Sequence, residues 1–517
     1  MVCPGSRSTP LALAVARRGE LSVHVRIDER SAAFFALGRA LVTGRPVAVV
    51  VTSGTAAAEL HAAVAEADLA RVPLLVVTAD RPPELHGVGA PQTIDQQRLF
   101  GSKVRLYEEP GVARGEAAPS WRPLARRLYQ AASGSGGLAG PVHLNAAFVE
   151  PLLGEPLEVA EDDHGRDDTV VTAPSATLDL AGRRVLCVVG AGVSAEVVAR
   201  AQAAQWVVVG DATARGTLAY ADPLCRHDEI WESLVPDVVI RIGGVPASKF
   251  LLQRVASTAT VIALDVAGPV ADPDGALTRR VVGGPDPGDP SHRGDAAYTR
   301  AWREASARLG ERLDSLWGDE IDEVAVARHV VAAANAHEAA LVVGSSMPVR
   351  DVEWWTPSRR GPVFSNRGAN GIDGVVSTFL GVADGASAIG LVGDVTMLHD
   401  VSALVDGPGP GTSAVLVVSD NAGGGIFSFL AQARQVPVEQ FESLFGTPRH
   451  HDLAAVATAF GHHGERVDSA RALDAAIEGG LARDGLSVVV AQVPSRSLNV
   501  ARHEELNALV AHWWSAP

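Results

Sequence analysis

The sequence has few cysteines and few lysines. Its three cysteines, Cys3, Cys187 and Cys225, are far apart in the chain. A disulfide framework or a structural zinc site needs cysteines in pairs or clusters, so this pattern argues against both. Lys103 and Lys249 are the only lysines among 44 basic residues. A lysine near a candidate site is therefore slightly more informative than an arginine.

Long hydrophobic runs are also absent. No apolar run reaches the length of about eighteen residues that a transmembrane helix needs, and the N-terminus lacks the basic flank and apolar stretch of a signal peptide. The formal net charge is -16, which argues against nucleic acid or an anionic membrane surface as the main partner. We therefore expect a cytoplasmic protein with no membrane insertion and no nucleic-acid partner.

The length and composition are those of a multidomain globular enzyme. Hydrophobic residues make up 47% of the 517 residues, which is ample for buried parallel sheets. Short apolar runs alternate with helical patterns along three successive regions, which predicts three Rossmann-like, doubly wound α/β domains with parallel sheets. The predicted domains cover residues 1–155, 176–318 and 325–517. A stretch rich in proline and acidic residues, around 150–182, is predicted to be an exposed linker.

Two predicted strands end in residues that suit a metal site. Ligands of open parallel sheets bind beyond the carboxyl ends of the strands. Asp394 follows a strand predicted at 388–393, and Asn421 follows one predicted at 414–419, with glycines from Gly423 onward. A carboxylate, an amide oxygen and a glycine carbonyl suit Mg²⁺, whose octahedron diphosphate oxygens can complete. Either segment alone is more typical of a turn or a flexible loop.

Together, the two segments resemble the signature of thiamine diphosphate enzymes, in which Gly-Asp is followed by Asn in a later strand-end loop. Asn421 lies 27 positions after Asp394 (421 minus 394). The resemblance implies a glutamate that hydrogen-bonds N1′ of the aminopyrimidine and promotes the imino tautomer that deprotonates C2. Glu29 is the candidate, after a strand predicted at 23–27, although an acid at a helix start is often only a favourable dipole interaction. We expect burial to raise its pKa.

A third strand end allows a different interpretation. Gly190 and Gly192 follow a strand predicted at 184–189 and form part of a dinucleotide fingerprint, but the third glycine is absent. We interpret the segment as a structural turn. The alternative is a non-catalytic nucleotide- or NAD-binding protein with three Rossmann-like units.

Over nearly its whole length, the chain resembles the 2-succinyl-5-enolpyruvyl-6-hydroxy-3-cyclohexene-1-carboxylate synthases, thiamine diphosphate enzymes of menaquinone biosynthesis. The middle region is the least diagnostic part. The motifs that carry the resemblance are residues 3–8 (CPGSRS), 24–30 (HVRIDER), 52–56 (TSGTA), 79–82 (ADRP), 365–368 (SNRG), 371–374 (GIDG) and 424–427 (GGIF).

The family reaction joins two dianions: 2-oxoglutarate is decarboxylated on the cofactor, and the acyl unit adds 1,4 to isochorismate. Arginine suits such substrates because its planar fork binds carboxylate bidentately, although each arginine alone is more typical of a solvated surface charge. By resemblance, the 2-oxoglutarate-derived part is held by Ser346, Arg350 and Arg367. Isochorismate is held by Arg7, Arg81, Gln92 and Lys249. Further substrate contacts are assigned to Ser6, Ile426 and Phe427.

The resemblance also implies the cofactors and the assembly. Thiamine diphosphate and Mg²⁺ are expected, with Mn²⁺ as the alternative metal. The implied metal ligands are the side chains of Asp394 and Asn421 and the backbone of Gly423. The implied assembly is a homodimer or a dimer of dimers whose active sites combine Glu29 of one chain with Asp394 of another. The residues that the resemblance places in contact with the cofactor are Glu29, Thr55, Ile372, Gly393, Asp394, Asn421, Gly423 and Ile426. Of these, Ile372 would bend the cofactor.

Some positions depart from the family pattern. Met1 falls inside the first strand of that pattern, so we expect a less stable edge of the first sheet. Val395 replaces a glycine of the general thiamine motif, Pro91 replaces the usual Asn, and Ala422 stands where Asn or Gly is usual.

The alternative within the same cofactor class is another 2-oxo-acid decarboxylase or carboligase. Such enzymes lack the four arginines named above.

Overall fold

The structure of the chain is a computed structural model that describes residues 1–113, 118–135, 137–154, 176–266 and 268–515. Most of the predicted linker lies outside the described residues. The strands are β1 (Val47–Val51), β2 (Leu74–Asp80), β3 (Tyr107–Glu108), β4 (Val142–Ala147), β5 (Val185–Val189), β6 (Val207–Gly210), β7 (Val238–Ile242), β8 (Val261–Asp265), β9 (Arg279–Val282), β10 (Ala340–Val343), β11 (Val363–Phe364), β12 (Ser387–Gly393), β13 (Ser413–Asp420), β14 (His463–Val467) and β15 (Gly485–Gln492). The helices are α1 (Thr9–Ala16), α2 (Glu29–Thr43), α3 (Thr55–Ala58), α4 (His61–Ala70), α5 (Ala118–Ser133), α6 (Ala195–Ala203), α7 (Ala221–Arg226), α8 (Asp228–Leu234), α9 (Lys249–Ala256), α10 (Ala296–Asp314), α11 (Glu323–Ala336), α12 (Met347–Trp355), α13 (Val375–Ala383), α14 (Asp394–His399), α15 (Ala403–Asp406), α16 (Gln432–Gln435), α17 (Val438–Phe441), α18 (Leu453–Ala459), α19 (Ala470–Leu481) and α20 (Arg496–Ser515).

Three parallel sheets form the framework of the described chain. Their strand orders are β1-β2-β4-β3, β6-β5-β7-β8-β9 and β11-β10-β12-β13-β15-β14. Strands that are buried on both faces require continuous apolar runs, and all residues of β5 are buried. The predicted parallel α/β class is confirmed.

Contacts divide the chain into two compact units. The first unit consists of residues 1–171, 366–384 and 399–408, and the second unit contains the rest of the chain. The sheet that starts with β1 belongs to the first unit, and the other two sheets belong to the second. The three predicted domain boundaries remain a prediction.

Close helix packing in the first unit holds the segment that carries Glu29. A Cβ atom on Gly38 of α2 would lie 2.2 Å from the carbonyl oxygen of Thr378 in α13. A Cβ atom on Gly381 of α13 would lie 2.1 Å from the carbonyl oxygen of Phe35 in α2. The two backbones therefore approach at positions where only glycine fits. This contact positions α2, of which Glu29 is the first residue.

The structure changes two predictions of local structure. The prediction of a strand at 23–27 is wrong, because the segment forms only an isolated bridge between Val25 and Val2. Val2 also bridges Val50 of β1. The short N-terminal segment therefore pairs with one residue on each side and does not form a continuous strand. The apolar pattern of residues 56–67 predicts one helix, but a turn divides this segment into α3 and α4.

The Gly-x-Gly turn of the second unit follows β5. A Cβ atom on Gly190 would lie 1.9 Å from the carbonyl oxygen of Gly244, and Gly192 has a φ of +83°. The turn therefore permits two loops to touch, which supports the structural interpretation.

Among the helices of the described residues, none is long and apolar enough to cross a membrane.

Candidate active site

The proposed metal ligands lie at the carboxyl edge of the third sheet. Strands β10, β12 and β13 are neighbours in this sheet, and the strand order reverses beside β10. Such a reversal creates the crevice in which open α/β sheets bind ligands. Ser346 follows β10, Asp394 follows β12 and Asn421 follows β13. The topology thus places three predicted site residues at the ends of adjacent strands.

Two side-chain oxygens at this edge suit a cation. Asp394 Oδ2 and Asn421 Oδ1 are buried and have no hydrogen-bond partner. Buried acceptors without partners are costly, and a bound cation would satisfy both oxygens. In the described part of the chain, no cluster of three or more His, Cys, Asp or Glu could hold a metal. A site with one carboxylate, one amide and one backbone carbonyl, that of Gly423, does not require such a cluster.

The surroundings of Asp394 disfavour its ionised form. Burial raises its pKa from 3.8 to about 7, and the nearby Asp420 carboxylate adds to the rise. Backbone N–H groups of Val395 and Gly423 hydrogen-bond to the carboxylate and act in the opposite direction. A cation at this position would favour the ionised carboxylate.

A buried glutamate that the sequence did not reveal orients the Asn421 amide. Asn421 Nδ2 donates a hydrogen bond of 2.7 Å to Glu323 Oε1, which leaves the amide oxygen available to a cation. Burial raises the pKa of Glu323 to about 8, and the Asp351 carboxylate contributes to this rise. In the sequence, Glu323 is an acid in the first turn of a helix, directly after the cap Asp322. That pattern is common at exposed helix ends, so it gives no sign of burial.

The loop after β13 has an unusual backbone. Ala422 has a φ of +60°, a left-handed conformation that a Cβ atom disfavours. Gly and Asn, the expected residues at this position, adopt it more readily. Gly423 has a φ of +148°, and a Cβ atom there would lie 2.2 Å from the carbonyl oxygen of Gly446. The departure at Ala422 thus stores strain beside a proposed metal ligand.

We expect Ala422→Gly to raise the free energy of unfolding by about 1 kcal/mol, because glycine relieves the left-handed strain. Denaturant unfolding of the metal-free protein measures the change. Ala455→Gly is the matched control, because Ala455 is an exposed residue of α18 and its replacement should destabilise by about 0.5–1 kcal/mol. Equal destabilisation by both substitutions would contradict the account of the loop.

Further predicted substrate residues also belong to the second unit. Ser346 has a φ of +77° and precedes α12, and Arg350 Nη1 donates to its carbonyl oxygen at 2.5 Å. Ile426 and Phe427 lie in a 3₁₀ turn at Gly425–Phe429. The structure therefore brings Ser346 and Arg350 together. Lys249, the first residue of α9, is exposed.

The first unit brings together two arginines that were predicted to bind isochorismate. Arg7 is buried, and its Nη1 donates to the Phe148 carbonyl oxygen at 2.9 Å. Burial lowers the pKa of Arg7, and the neighbouring Arg81 guanidinium lowers it further. The Nε atoms of both arginines are buried without hydrogen-bond partners. Two adjacent guanidinium groups with unused donors suit a carboxylate ligand.

Gln92, which was also predicted to bind isochorismate, is hydrogen-bonded to Ser53. Gln92 Nε2 donates to the Ser53 carbonyl oxygen at 3.1 Å, and Ser53 Oγ donates to the Gln92 carbonyl oxygen at 3.0 Å. A Cβ atom on Gly54 would lie 3.0 Å from the Gln92 side chain. Thr55 is exposed and begins α3, and Ser6 is exposed next to Arg7.

Glu29 and Ile372 are both half-buried residues of the first unit. Burial raises the pKa of Glu29, and the Asp28 and Glu59 carboxylates add to the rise. This direction of the Glu29 pKa shift agrees with the expectation from the sequence.

Arg367, a predicted substrate residue of the first unit, donates a hydrogen bond from Nη1 to Asn370 Oδ1.

Comparisons with known proteins identify the family. The models of the N-terminal and C-terminal thiamine pyrophosphate (thiamine diphosphate) binding domains match residues 1–99 and 366–491. Three relatives carry the name 2-succinyl-5-enolpyruvyl-6-hydroxy-3-cyclohexene-1-carboxylate synthase. The Myxococcus xanthus protein is 38% identical over 99% of this chain and 94% of its own length. The Thermobifida fusca protein is 39% identical over 95% and 91%, and the Geobacillus kaustophilus protein is 37% identical over 98% and 94%.

A solved structure supports the fold. Benzoylformate decarboxylase from Polynucleobacter necessarius matches with a TM-score of 0.67 at 17% identity, over 95% of each chain. At this identity the match bears on the fold alone. The near-full-length relatives and the two thiamine diphosphate domains show more: the chain belongs to the 2-succinyl-5-enolpyruvyl-6-hydroxy-3-cyclohexene-1-carboxylate synthase family of thiamine diphosphate enzymes.

Proposed function

We propose that this protein decarboxylates 2-oxoglutarate and adds the resulting acyl unit to isochorismate. The products are CO₂ and 2-succinyl-5-enolpyruvyl-6-hydroxy-3-cyclohexene-1-carboxylate, the compound in the relatives' printed name, and the step belongs to menaquinone biosynthesis. The observation that carries the proposal is the pair of buried, partnerless oxygens on Asp394 and Asn421 at adjacent strand ends.

The residues at this edge suit a metal and a diphosphate. Asp394, Asn421 and the carbonyl of Gly423 would hold Mg²⁺, or Mn²⁺ in its place. A Cβ atom on Gly393 would meet no atom within 4 Å, so the space beside the metal ligands is open to a phosphate group. Thiamine diphosphate supplies the electron sink for decarboxylation when it is bound.

Glu29 is the proposed acid–base residue of the cofactor site. Burial raises the pKa of Glu29, so this carboxyl group keeps its proton at a higher pH than an exposed glutamate does, as suits acid–base exchange with the cofactor. Thr55 and Ile372 are the further proposed contacts of the cofactor in the first unit, and Ile426 is one in the second.

The substrates are proposed to be bound through their carboxylates. Arg7 and Arg81 have unused, buried donors, which suit isochorismate, and Gln92, Lys249 and Ser6 complete that group. The other group would bind the 2-oxoglutarate-derived part and consists of Ser346, Arg350 and Arg367, with Ile426 and Phe427 lining the pocket.

We also propose the assembly and the location of the protein. A homodimer or a dimer of dimers would combine Glu29 of one subunit with Asp394 of another, and each chain would comprise domains at residues 1–155, 176–318 and 325–517. The proposed location is the cytoplasm.

A direct assay tests the proposed reaction. The protein is incubated with thiamine diphosphate, Mg²⁺, 2-oxoglutarate and isochorismate, and the loss of isochorismate and the mass of the product are followed. We expect turnover that requires both substrates. Release of CO₂ from other 2-oxo acids at higher rates would favour the alternative of another decarboxylase or carboligase. NAD binding without Mg²⁺-dependent binding of thiamine diphosphate would favour a non-catalytic nucleotide-binding protein.

Cofactor affinity is expected to weaken as the pH falls. Burial raises the pKa of Asp394 to about 7, and a carboxylate binds a metal only after it loses its proton. Below pH 7, the affinity for Mg²⁺ and thiamine diphosphate should therefore fall by up to about tenfold per pH unit. Titration calorimetry at several pH values measures the effect. Asp394→Asn has no titrating group at this position, so its remaining pH dependence reports the cofactor and other titrating groups such as Glu323. A wild-type affinity that does not change with pH would contradict the prediction.

A further inference from the structure

Glu66 of α4 binds the loop that carries Arg367. The Glu66 side chain is buried, and its two oxygens each accept a hydrogen bond of 2.6 Å, one from the backbone N–H of Gly368 and one from that of Ala369. The N–H of Asn370 also acts on this carboxylate. Three successive backbone N–H groups that face one anion form a nest, and here the chain supplies the anion itself.

The contact requires glycine at position 368. A Cβ atom on Gly368 would lie 2.5 Å from the Glu66 carbonyl oxygen and 2.8 Å from the Ala70 backbone nitrogen. The loop backbone thus lies directly against α4, and any side chain at this position would push it away. The helix and the loop are therefore held together by close backbone packing at Gly368 and by the hydrogen bonds to the Glu66 carboxylate.

The charge of Glu66 depends on the loop. Burial raises the pKa of this carboxyl group, whereas the N–H groups of Gly368 and Ala369 and the charge of Arg367 lower it. A buried carboxylate without these donors would be strongly unfavourable. Glu66 and the loop therefore stabilise each other in this one arrangement, and Arg367 is the residue that directly precedes the bound backbone.

We propose that Glu66 is a positioning residue, which acts through Arg367 to set the affinity for the dicarboxylate substrate. The inference rests on the proposed function, in which Arg367 binds the 2-oxoglutarate-derived part. Bidentate binding of a carboxylate by arginine depends on accurate placement of the guanidinium plane. A loop held through its backbone N–H groups provides that placement.

Two substitutions test this role. Glu66→Gln keeps one acceptor but turns an amide N–H toward a backbone N–H, so one of the two hydrogen bonds is lost. Gly368→Ala leaves Glu66 unchanged and displaces the loop by contact with α4. Glu20→Gln, at an exposed site of the same unit, is the matched control.

We expect both variants to raise the KM for 2-oxoglutarate by about 10- to 100-fold. The KM for isochorismate and the Kd for thiamine diphosphate with Mg²⁺, measured by calorimetry, should change little, and the control should behave as wild type. A purely structural role would instead lower the unfolding temperature and impair all three constants alike, and that result would overturn the proposal. So would folded variants with an unchanged KM for 2-oxoglutarate.

The wild-type assay separates this inference from the proposed function. If the wild-type protein consumes 2-oxoglutarate and the variants keep its KM, only the role of Glu66 is refuted. If the wild-type protein does not consume 2-oxoglutarate, the proposed function fails, and the role of Glu66 fails with it.

Discussion

Replacement of Glu29 by glutamine is expected to lower turnover by at least about 100-fold, the lower end of what a positioned acid–base group contributes. Glutamine has nearly the same shape as glutamate but cannot exchange a proton. Burial raises the pKa of Glu29, so the wild-type residue can carry a proton closer to neutral pH than an exposed glutamate. The substitution removes this capacity and leaves the α2 cap intact, because Asp28, which accepts a hydrogen bond from Ser31 N–H, is unchanged.

Steady-state turnover and hydrogen–deuterium exchange at C2 of the bound cofactor are the measurements for Glu29→Gln. Both should slow, whereas the calorimetric affinity for thiamine diphosphate and the unfolding temperature should stay close to the wild-type values. Glu20→Gln again serves as the exposed control. Near wild-type rates in Glu29→Gln would refute the proposed role.

Replacement of Asp394 by asparagine is expected to reduce Mg²⁺-dependent binding of thiamine diphosphate by at least about 100-fold. Loss of an outer partner of a metal ligand costs about 10- to 100-fold in affinity, so loss of a direct ligand should cost at least as much. Asp394 is the proposed carboxylate ligand, and the remaining proposed ligands, Asn421 and the Gly423 carbonyl, are neutral. Calorimetry with and without Mg²⁺ measures the loss, and activity should fall in parallel.

Stability distinguishes loss of the metal site from loss of the fold. The pKa of Asp394 is about 7 in the folded chain, against the ordinary value of 3.8 that applies to an unfolded chain. Between these two pH values the folded state binds more protons than the unfolded state, so its stability falls as the pH rises. At pH 8 the metal-free Asp394→Asn protein should therefore be at least as stable as the wild type. Asp484→Asn, at an exposed site, is the control. Unchanged cofactor affinity in Asp394→Asn would be incompatible with the proposed metal site.

A mixture of the Glu29→Gln and Asp394→Asn variants tests whether active sites are shared between subunits, as proposed. If each site combines Glu29 of one subunit with Asp394 of another, a mixed dimer contains one site with both substitutions and one with neither. Random reassociation should then restore about a quarter of the wild-type activity. No recovery, with mixed dimers verified by mass spectrometry, would place both residues of a site in one chain.

Local patterns were sufficient to predict the parallel sheets and the strand-end residues. A strand buried on both faces needs a continuous apolar run, and such runs predict strands at 184–189 and 414–419, which coincide with β5 and β13 to within one residue at each end. Polar residues directly after such runs can be assigned to one edge of a sheet, and this rule identifies Asp394 and Asn421. The prediction failed at residues 23–27, because an apolar alternating run forms a strand only if a long enough partner lies beside it.

Two buried glutamates show the limit of local patterns. Glu323 and Glu66 are acids within helices and carry no local mark that separates them from exposed ones. Glu323 becomes a partner of Asn421 from 98 positions away, and Glu66 meets Gly368 from 302 positions away. Burial and long-range hydrogen bonds depend on how helices and loops pack, which periodicity does not encode.

Local features of the sequence are enough to establish the class of fold, the resemblance to one enzyme family and the proposed oxygen ligands. These features depend on short-range periodicity and on motifs of neighbouring residues. The three-dimensional packing shows in addition that Asp394 Oδ2 and Asn421 Oδ1 are both left without partners, and that Glu323 accepts a hydrogen bond from Asn421 Nδ2. Those facts require distant segments to be packed together, because a side chain gains or loses its hydrogen-bond partners only through the residues that surround it in space.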